Sequence, residues 1–396
     1  MHNLLYWLEI VFLLVGILVA CQVFTNAIEN LGEALNLNHE FTGSILAAVG
    51  TALPETILPL VAIYMASSGV AGGVGAKNDI AIGAIIGAPF MLATLAMFIL
   101  GLSIFTHQKT RSAKFGPSEH LNLQVNVNHL KRDLIYFLVT FSAALGATFL
   151  ASEYVSRFVD YLCTQEWGIR LIGLMHASSL VEVPTACYGD LSSALKFITA
   201  IIIGSCYVVY VVQSYKTATK ELESEPEDIP ELYLTKIFPL KNSNLKNSFI
   251  ASVIIQTLLG LAGIIYFAHH FVHGVEHISE IFSISPLVLS LIISPIATEL
   301  PEKVNSWIWS GEGKDTLAMG NLSGAMVFQS AIPSMIGVML TPWILNQTVL
   351  ICAGLSIASS LILLATIQIK QKINYKVLLA IGSLYLVYMF YILGSI

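Results

Sequence analysis

The sequence is poor in charged residues. Asp, Glu, Lys and Arg make up only 11% of its 396 residues, whereas an ordinary soluble domain has about 25%. This scarcity excludes a soluble enzyme, and the 56% hydrophobic content excludes a disordered chain. A net charge of −6, with no basic stripe outside short loops, argues against a nucleic-acid partner. The composition therefore indicates an integral membrane protein embedded in a lipid bilayer.

Several functional signatures are also missing. Five cysteines are too few and too scattered for a disulfide framework or a thiolate metal site, so we expect packing residues, with a Cys163–Cys187 bridge as the alternative. There is neither a phosphate-binding loop nor a His-Glu-x-x-His spacing, so we expect no nucleotide, no cofactor and no enzyme activity. The start Met1-His2-Asn3 lacks the positive charge of a signal peptide, and we expect no cleavage.

Long apolar runs fill most of the chain. A membrane-spanning helix needs about 20 mainly apolar residues. Ten runs meet this requirement, at 3–24, 41–66, 79–106, 133–152, 191–215, 248–271, 282–309, 315–340, 347–368 and 375–396. A shorter run at 168–184 carries His176, Glu182 and Pro184, and we expect an interfacial or re-entrant segment there. The predicted fold class is an all-α integral membrane protein with about ten transmembrane helices.

The positive charges predict how the chain lies in the membrane. With ten helices, fifteen of the nineteen Lys and Arg residues fall on one side. The positive-inside rule makes that side cytoplasmic, which places both termini outside a plasma (inner) membrane. A charged linker at 216–247 then separates a first five-helix half, 1–215, with an outer insertion near 153–190, from a second half, 248–396. The oligomeric state, monomer or homodimer, stays open.

One short motif occurs twice, once in each half. The two copies are Thr51-Ala52-Leu53-Pro54-Glu55 and Thr298-Glu299-Leu300-Pro301-Glu302. They lie at matching positions, in helices that the charge pattern sends into the membrane from opposite sides. Inverted repeats of this kind are typical of secondary transporters. We therefore expect two inverted five-helix repeats.

The motif places acids and free carbonyls inside the membrane. A carboxylate at membrane depth costs at least about 2.5–3.5 kcal/mol, so Glu55 and Glu302 should face protein or water. The proline before each acid removes one helical hydrogen bond, which frees the carbonyls of Gly50 and Ala297. Broken backbone is tolerated at that depth only where it lines a cavity or is buried in protein.

Hydroxyl groups are expected at the same site. Thr51 precedes Glu55 by four residues and Thr298 precedes Glu302 by four, so each hydroxyl shares a helix face with a carboxylate. Carboxylate, hydroxyl and carbonyl oxygens together suit hard cations such as Ca²⁺, Mg²⁺ or Na⁺. The alternative interpretation is a pair of kinked packing helices with buried acids.

These motifs resemble the repeats of the Ca²⁺:cation antiporter superfamily, and more closely its prokaryotic sodium/calcium exchanger type. That family carries Gly-Thr-Ser-Leu-Pro-Glu, followed one helix later by Gly-Asn-x-x-Gly-Ser-Asn/Asp. The counterparts in this sequence are residues 50–55 and 297–302, followed by 83–89 and 320–326. The resemblance implies inverted repeats, alternating access and transported Ca²⁺ and Na⁺, and it carries over directly to Glu55, Glu302, Thr51 and Thr298.

Departures from the family pattern leave the ion pair open. Three positions where the family usually has amide or carboxylate ligands are Ala84, Pro89 and Met326. Asn321 is kept, and Glu299 replaces a serine. Three carboxylates would then surround one site, which suits either a shared proton or stronger divalent binding. Alternatively, Glu299 pairs with Lys303, four residues on.

The expected function is that of a secondary active cation antiporter. The resemblance favours Na⁺/Ca²⁺ exchange, and the thinned ligand set leaves Ca²⁺/H⁺ and Na⁺/H⁺ exchange open. A cation channel is a rival, although channels usually build their filters from symmetric subunits. A histidine cluster near the end of the sixth helix, with His269, His273 and His277 on one face, could bind Zn²⁺ or sense pH, or could simply cap the helix.

Overall fold

The computed structural model describes residues 2–34, 53–68, 73–151, 186–218, 231–234 and 245–395. Within these ranges the chain is almost entirely helical, and eight helices are long and apolar enough to cross a membrane. This confirms the predicted all-α membrane class, while the count of ten spans stays a prediction. Predictions on the run 168–184, on Cys163 and on most of the linker 216–247 concern residues outside the described ranges.

The first half contributes seven described helices. They are α1 (His2–Ala34), α2 (Leu53–Ser67), α3 (Val74–Met91), α4 (Met97–Thr106), α5 (Gln108–Phe115), α6 (Val127–Gly146) and α7 (Ala186–Ala218). A π-helical turn, Leu92–Ala96, joins α3 to α4, and a 3₁₀ turn, Ala147–Ala151, follows α6. Such π turns often mark functional sites, and this one directly follows Met91.

The second half also contributes seven. They are α8 (Leu245–Phe282), α9 (Pro286–Thr298), α10 (Leu300–Gly311), α11 (Asp315–Leu340), α12 (Gln347–Lys370), α13 (Tyr375–Gly382) and α14 (Leu384–Ser395). Two short strands, β1 (Asn122–Leu123) and β2 (Ile373–Asn374), pair antiparallel, with Asn122 opposite Asn374. This small sheet joins the connection before α6 to the connection before α13.

Several predicted helices differ from the structure. The first was expected to end at 24 but continues to Ala34, and the tenth, expected over 375–396, is divided into α13 and α14. The sixth was expected to end at 271, but α8 continues to Phe282. The histidine-rich stretch looks polar, yet Val272, Val275 and Ile278 recur at helical spacing and are buried, so the apolar face continues. The seventh, expected as one helix over 282–309, is divided into α9 and α10 at Glu299.

The first helices of the two halves run antiparallel. Gly260 of α8 lies against Phe24 of α1, and Gly274 of α8 lies against Ile10, so one helix ascends where the other descends. An inverted repeat requires this opposite direction. Both glycines stand where a Cβ would come within 2.8 Å of the partner helix, and they therefore allow the two helices to pack closely.

The centre of the molecule is the contact of α3 with α9. Most of α3 is buried, and α3 and α9 run parallel, with Gly83 beside Leu287 and Gly87 beside Leu291. A Cβ at Gly83 would lie 2.5 Å from the carbonyl oxygen of Leu287, so the approach depends on glycine. This contact holds the C-terminal end of α9, where the helix breaks, at the core of the protein.

Candidate cation site

The second copy of the repeated motif forms a break between two helices. α9 ends at Thr298, Glu299 has φ −89° and ψ 5°, and α10 begins at Leu300 with Pro301 in its first turn. Pro301 has no N–H to donate to the carbonyl of Ala297, which lies in the last turn of α9. Glu302 stands in the first turn of α10, where the positive end of the helix dipole favours a carboxylate.

Three carboxylates meet at this break. Glu55 of α2, Glu299 and Glu302 each offer an oxygen atom, and these atoms all lie within 4.8 Å of one another. Their exposed fractions are 5%, 0% and 3%, so none faces bulk solvent. The structure thus brings together the acid from each repeat and the additional acid at position 299.

Several oxygens of this cluster accept no hydrogen bond from the described residues. They are both carboxylate oxygens of Glu55, Oε2 of Glu299 and Oε2 of Glu302. Leaving a buried charged oxygen without a partner is costly. A bound cation would neutralise these oxygens, and so would protons on the carboxylates.

Gln329 holds one of the three acids in place. Its Nε2 donates a hydrogen bond of 2.6 Å to Oε1 of Glu299, and the side chain is 1% exposed on α11. Among the described residues, the Oε1 atom of Gln329 has no hydrogen-bond partner. Sequence reasoning missed this residue. The signal was an amide inside an apolar helix, because intramembrane polar side chains are rare and bond to a partner helix.

Lys303 is the cation of the site, but it does not pair with Glu299. Its Nζ donates to the carbonyl oxygens of Pro295, at 3.1 Å, and Ile296, at 3.4 Å. No ion pair between this lysine and an acid occurs among the described residues. The expected alternative, a Glu299–Lys303 pair, is not formed in this structure, and Glu299 faces the other carboxylates instead.

The other predicted ligands lie around the cluster. Nδ2 of Asn321 donates to the main-chain carbonyl of Glu302, at 3.1 Å, which ties α11 to α10. Thr298 is buried, and its hydroxyl donates to the carbonyl of Ser294 at 3.2 Å. Glu299 lies between α9 and α10 and so separates Thr298 from Glu302, and the shared face expected for this pair stays a prediction. Gly50 and Thr51 lie outside the described residues.

The helix that follows the first motif copy, α3, contributes packing more than oxygen atoms. A Cβ at Gly87 would collide with the carbonyl oxygen of Leu291 and lie 2.9 Å from Cγ of Pro295. Ala84 and Met326 are buried and offer no side-chain oxygen. The degraded signature on α3 therefore keeps the glycines that let α3 approach α9, and it lacks the polar ligands.

The ionisable side chains of the site give it a net negative charge. Three carboxylates and one ammonium group sum to −2 when all are ionised. A buried net charge of that size is strongly unfavourable unless it is compensated. Oxygen ligands of this kind suit a hard cation, and one divalent or two monovalent cations would balance the charge.

Comparisons with known proteins agree with this chemistry. Residues 5–216 and 252–394 match the family profile described as sodium/calcium exchanger protein. Over 89 residues the chain is 34% identical to a putative antiporter, CaxA, of Alkalimonas amylolytica. That alignment covers 22% of this chain and 28% of the relative's length.

Solved structures share the fold. The H⁺/Ca²⁺ exchanger CAX superposes with a TM-score of 0.66 at 15% identity, over 97% of this chain and 82% of CAX. YfkE gives 0.57 at 14% identity, over 97% and 91%. The sodium-calcium exchanger NCX_Mj gives 0.50 at 17% identity, over 98% and 97%. Identities this low demonstrate a common architecture only.

Proposed function

The chain belongs to the sodium/calcium exchanger protein family, and we propose that it exchanges Ca²⁺ for monovalent cations at the site of Glu55, Glu299 and Glu302. The family consists of exchangers, so the protein is a multi-pass membrane antiporter and not an enzyme. One observation carries the proposal, namely three buried carboxylates within 4.8 Å of one another, with four oxygens that accept no hydrogen bond from the described residues.

Calcium fits this site by chemistry and by charge. Ca²⁺ takes six to eight oxygen ligands at flexible geometry, and carboxylates bind it through one or both oxygens. Three carboxylates can therefore supply up to six of these oxygens. In the proposal Thr51, Thr298 and Asn321 and the carbonyls of Gly50 and Ala297 supply others. The divalent charge compensates the site, whose net charge is −2 with Lys303 included.

The counter-ion has two candidates. Sodium is the ion that the family name suggests. The specific observation in favour of protons is the third carboxylate, Glu299, which brings a further negative charge against Glu55 and Glu302. When Ca²⁺ leaves, protons on the carboxylates relieve the repulsion and need no additional ligands, whereas Na⁺ needs a shell of oxygens. The experiment below separates the two candidates.

Alternating access would use the antiparallel pair of α1 and α8. These helices contact each other along their length through Gly16, Gly260 and Gly274 and pack against the α2 side of the core. In the proposal they move relative to the core that carries the acids, as expected for transporters built from inverted repeats. Ca²⁺ and the monovalent ions can shift this equilibrium only by binding the two states with different affinity.

Topology and domain organisation complete the proposal. Both termini lie outside a plasma membrane, and the Lys-rich connections lie in the cytoplasm. The halves 1–215 and 248–396 form the two inverted repeats, joined by the linker 216–247. Cysteine accessibility from each side of the membrane would test this arrangement.

The proposal is tested by ion flux in proteoliposomes. Uptake of ⁴⁵Ca²⁺ is driven first by an outward Na⁺ gradient and then by an outward H⁺ gradient. We expect uptake with one of them, loss of uptake in Glu55→Gln and Glu302→Gln, and normal uptake in Glu312→Gln. Glu312 is a suitable control because it is exposed at the end of α10 and pairs with Lys314 at 2.8 Å.

Each result of the flux experiment supports a different exchange reaction. Uptake with Na⁺ identifies a Na⁺/Ca²⁺ exchanger, and uptake with H⁺ identifies a H⁺/Ca²⁺ exchanger. If neither gradient moves Ca²⁺ while Na⁺ drives proton flux, the calcium proposal is wrong and Na⁺/H⁺ exchange replaces it. Unchanged uptake in both site variants would contradict the assignment of the site.

A further inference from the structure

A lysine is buried beside the three carboxylates. Lys303 lies directly after Glu302 on α10 and is 5% exposed. A charged side chain at membrane depth is expensive and is usually paired or functional. Its ammonium donates to the carbonyl oxygens of Pro295 and Ile296 and lies 2.9 Å from Sδ of Met91, the last residue of α3. The lysine is therefore fixed by contacts with α9 and α3.

The two carbonyls belong to a helix end. Pro295 and Ile296 lie in the last turn of α9, which ends at Thr298. The last carbonyls of a helix carry the negative end of the helix dipole; the carbonyl of Pro295 accepts the main-chain N–H of Glu299 at 3.2 Å in addition to the lysine. In transporters with broken helices, such C-terminal ends are where monovalent cations bind. The Lys303 ammonium thus occupies a position suited to a monovalent cation.

The ammonium also enters the charge balance of the site. Lys303 directly follows Glu302 in the chain, and its Nζ contacts the turn of α9 that leads into Glu299, so its charge lies beside those of the acids. Without it the three carboxylates would carry −3, and three monovalent ions would be needed to neutralise them. With it the net charge is −2, which equals the charge of one Ca²⁺ and of two monovalent ions. Both loaded states of the site are then neutral.

We infer that Lys303 is a resident cation that replaces one monovalent ion, sets the exchange at two monovalent ions per Ca²⁺ and makes transport electroneutral. The inference rests on the proposed function. It assigns to this residue a role in charge stoichiometry, beyond that of capping α9. A capping role alone would affect stability and leave the number of transported charges unchanged.

The test measures charge movement in proteoliposomes. The membrane potential is set with K⁺ and valinomycin, and the steady-state ratio of internal to external ⁴⁵Ca²⁺ is read under a fixed gradient of the driving ion. In the wild type we expect this ratio to be independent of potential. In Lys303→Gln and Lys303→Met a third monovalent ion enters, one net charge moves per cycle, and 59 mV should change the ratio about tenfold.

Two further variants serve as controls. Lys303→Arg keeps the charge, so its Ca²⁺ ratio should not respond to potential. Lys370→Gln removes an exposed lysine at the end of α12 and should behave as the wild type. A wild-type ratio that shifts with potential overturns the inference, and so does an active Lys303→Gln variant that stays insensitive.

A binding assay covers variants that fold but do not transport. In detergent, the driving ion displaces ⁴⁵Ca²⁺, and the steepness of displacement counts the ions that replace one Ca²⁺. We expect two for the wild type and three for Lys303→Gln or Lys303→Met. Three for the wild type contradicts the inference. If no gradient drives Ca²⁺ uptake, the proposed function is wrong. If the wild type takes up Ca²⁺ and its Ca²⁺ ratio responds to the membrane potential, the inference on Lys303 is wrong while the proposed function stands.

Discussion

A fully buried ion pair connects the two halves of the protein, and its removal should destabilise the fold. Arg111 of α5 and Asp315, the first residue of α11, are both inaccessible to solvent. Asp315 accepts from Nη1 of Arg111 at 2.5 Å, from Nη2 at 2.8 Å and from the main-chain N–H of Gln124 at 2.7 Å. The perturbation is Asp315→Asn, which keeps the shape of the side chain and removes its charge.

The magnitude follows from what remains around the arginine. The guanidinium keeps its bonds to three carbonyl oxygens, those of His120 at 2.9 Å, Ser310 at 2.6 Å and Asn122 at 3.0 Å. The charge of the guanidinium, however, is left buried without a counter-charge. In addition, the NH₂ group of the new asparagine faces an N–H donor in place of the carboxylate oxygen that accepted from it. Breaking a buried pair costs about 3–5 kcal/mol, and because the carbonyl bonds are retained we expect a loss of about 3 kcal/mol here.

The assay is thermal unfolding of the purified protein in detergent. At an unfolding entropy of about 2.1 cal/mol/K per residue, that loss lowers the Tm by about 4 °C. The control is Lys372→Ala, which breaks the exposed pair with Glu119 and should leave the Tm within about 1 °C. If Asp315→Asn unfolds at the same temperature as this control, the buried pair does not stabilise the contact between the halves.

Two further predictions concern the helices around the site. Gly87→Ala should lower stability by about 1–3 kcal/mol because its Cβ meets the backbone of α9. The matched change Gly354→Ala on α12, where a Cβ meets nothing within 4 Å, should be neutral or stabilising, and a pair of unfolding curves compares them. Gln329→Leu removes the donor that orients Glu299 and should weaken ⁴⁵Ca²⁺ binding about 10–100-fold, while unchanged affinity would refute its positioning role.

The helices were predictable because the apolar runs are long and continuous. The run 315–340 matches α11 at both ends. The extension of α8 was missed because His269, His270, His273 and His277 lower the apparent hydropathy of its last turns. His270, His273 and His277 line an open cavity of about 310 Å³ beside α1, while the opposite face stays apolar and packed. Average hydropathy does not separate the two faces of one helix.

The acids of the site were predictable and their partners were not. The repeated Leu-Pro-Glu drew attention to Glu55 and Glu302, since carboxylates rarely occur at membrane depth. Gln329 and Lys303 are recognised only from the fold. The role of Gln329 depends on the face that α11 turns toward Glu299, and that of Lys303 on the contact of its side chain with the last turn of α9.

The follow-on signature on α3 was only partly understood from the sequence. The sequence shows Gly83 and Gly87 as part of a family signature, and its interpretation there concerned the ligands that this signature lacks at Ala84 and Pro89. In the structure both glycines stand where the backbone of α9 comes too close for any side chain. A single sequence shows the glycine, but the helix that approaches it is known only from the tertiary structure.

The most direct test of the site is equilibrium binding of ⁴⁵Ca²⁺ to the purified protein. The wild type is compared with Glu55→Gln, Glu299→Gln and Glu302→Gln, with Glu312→Gln as the exposed control. We expect one saturable Ca²⁺ site in the wild type and the control, and binding lost or greatly weakened in each of the three site variants. Wild-type affinity in all three would contradict a calcium site at these carboxylates.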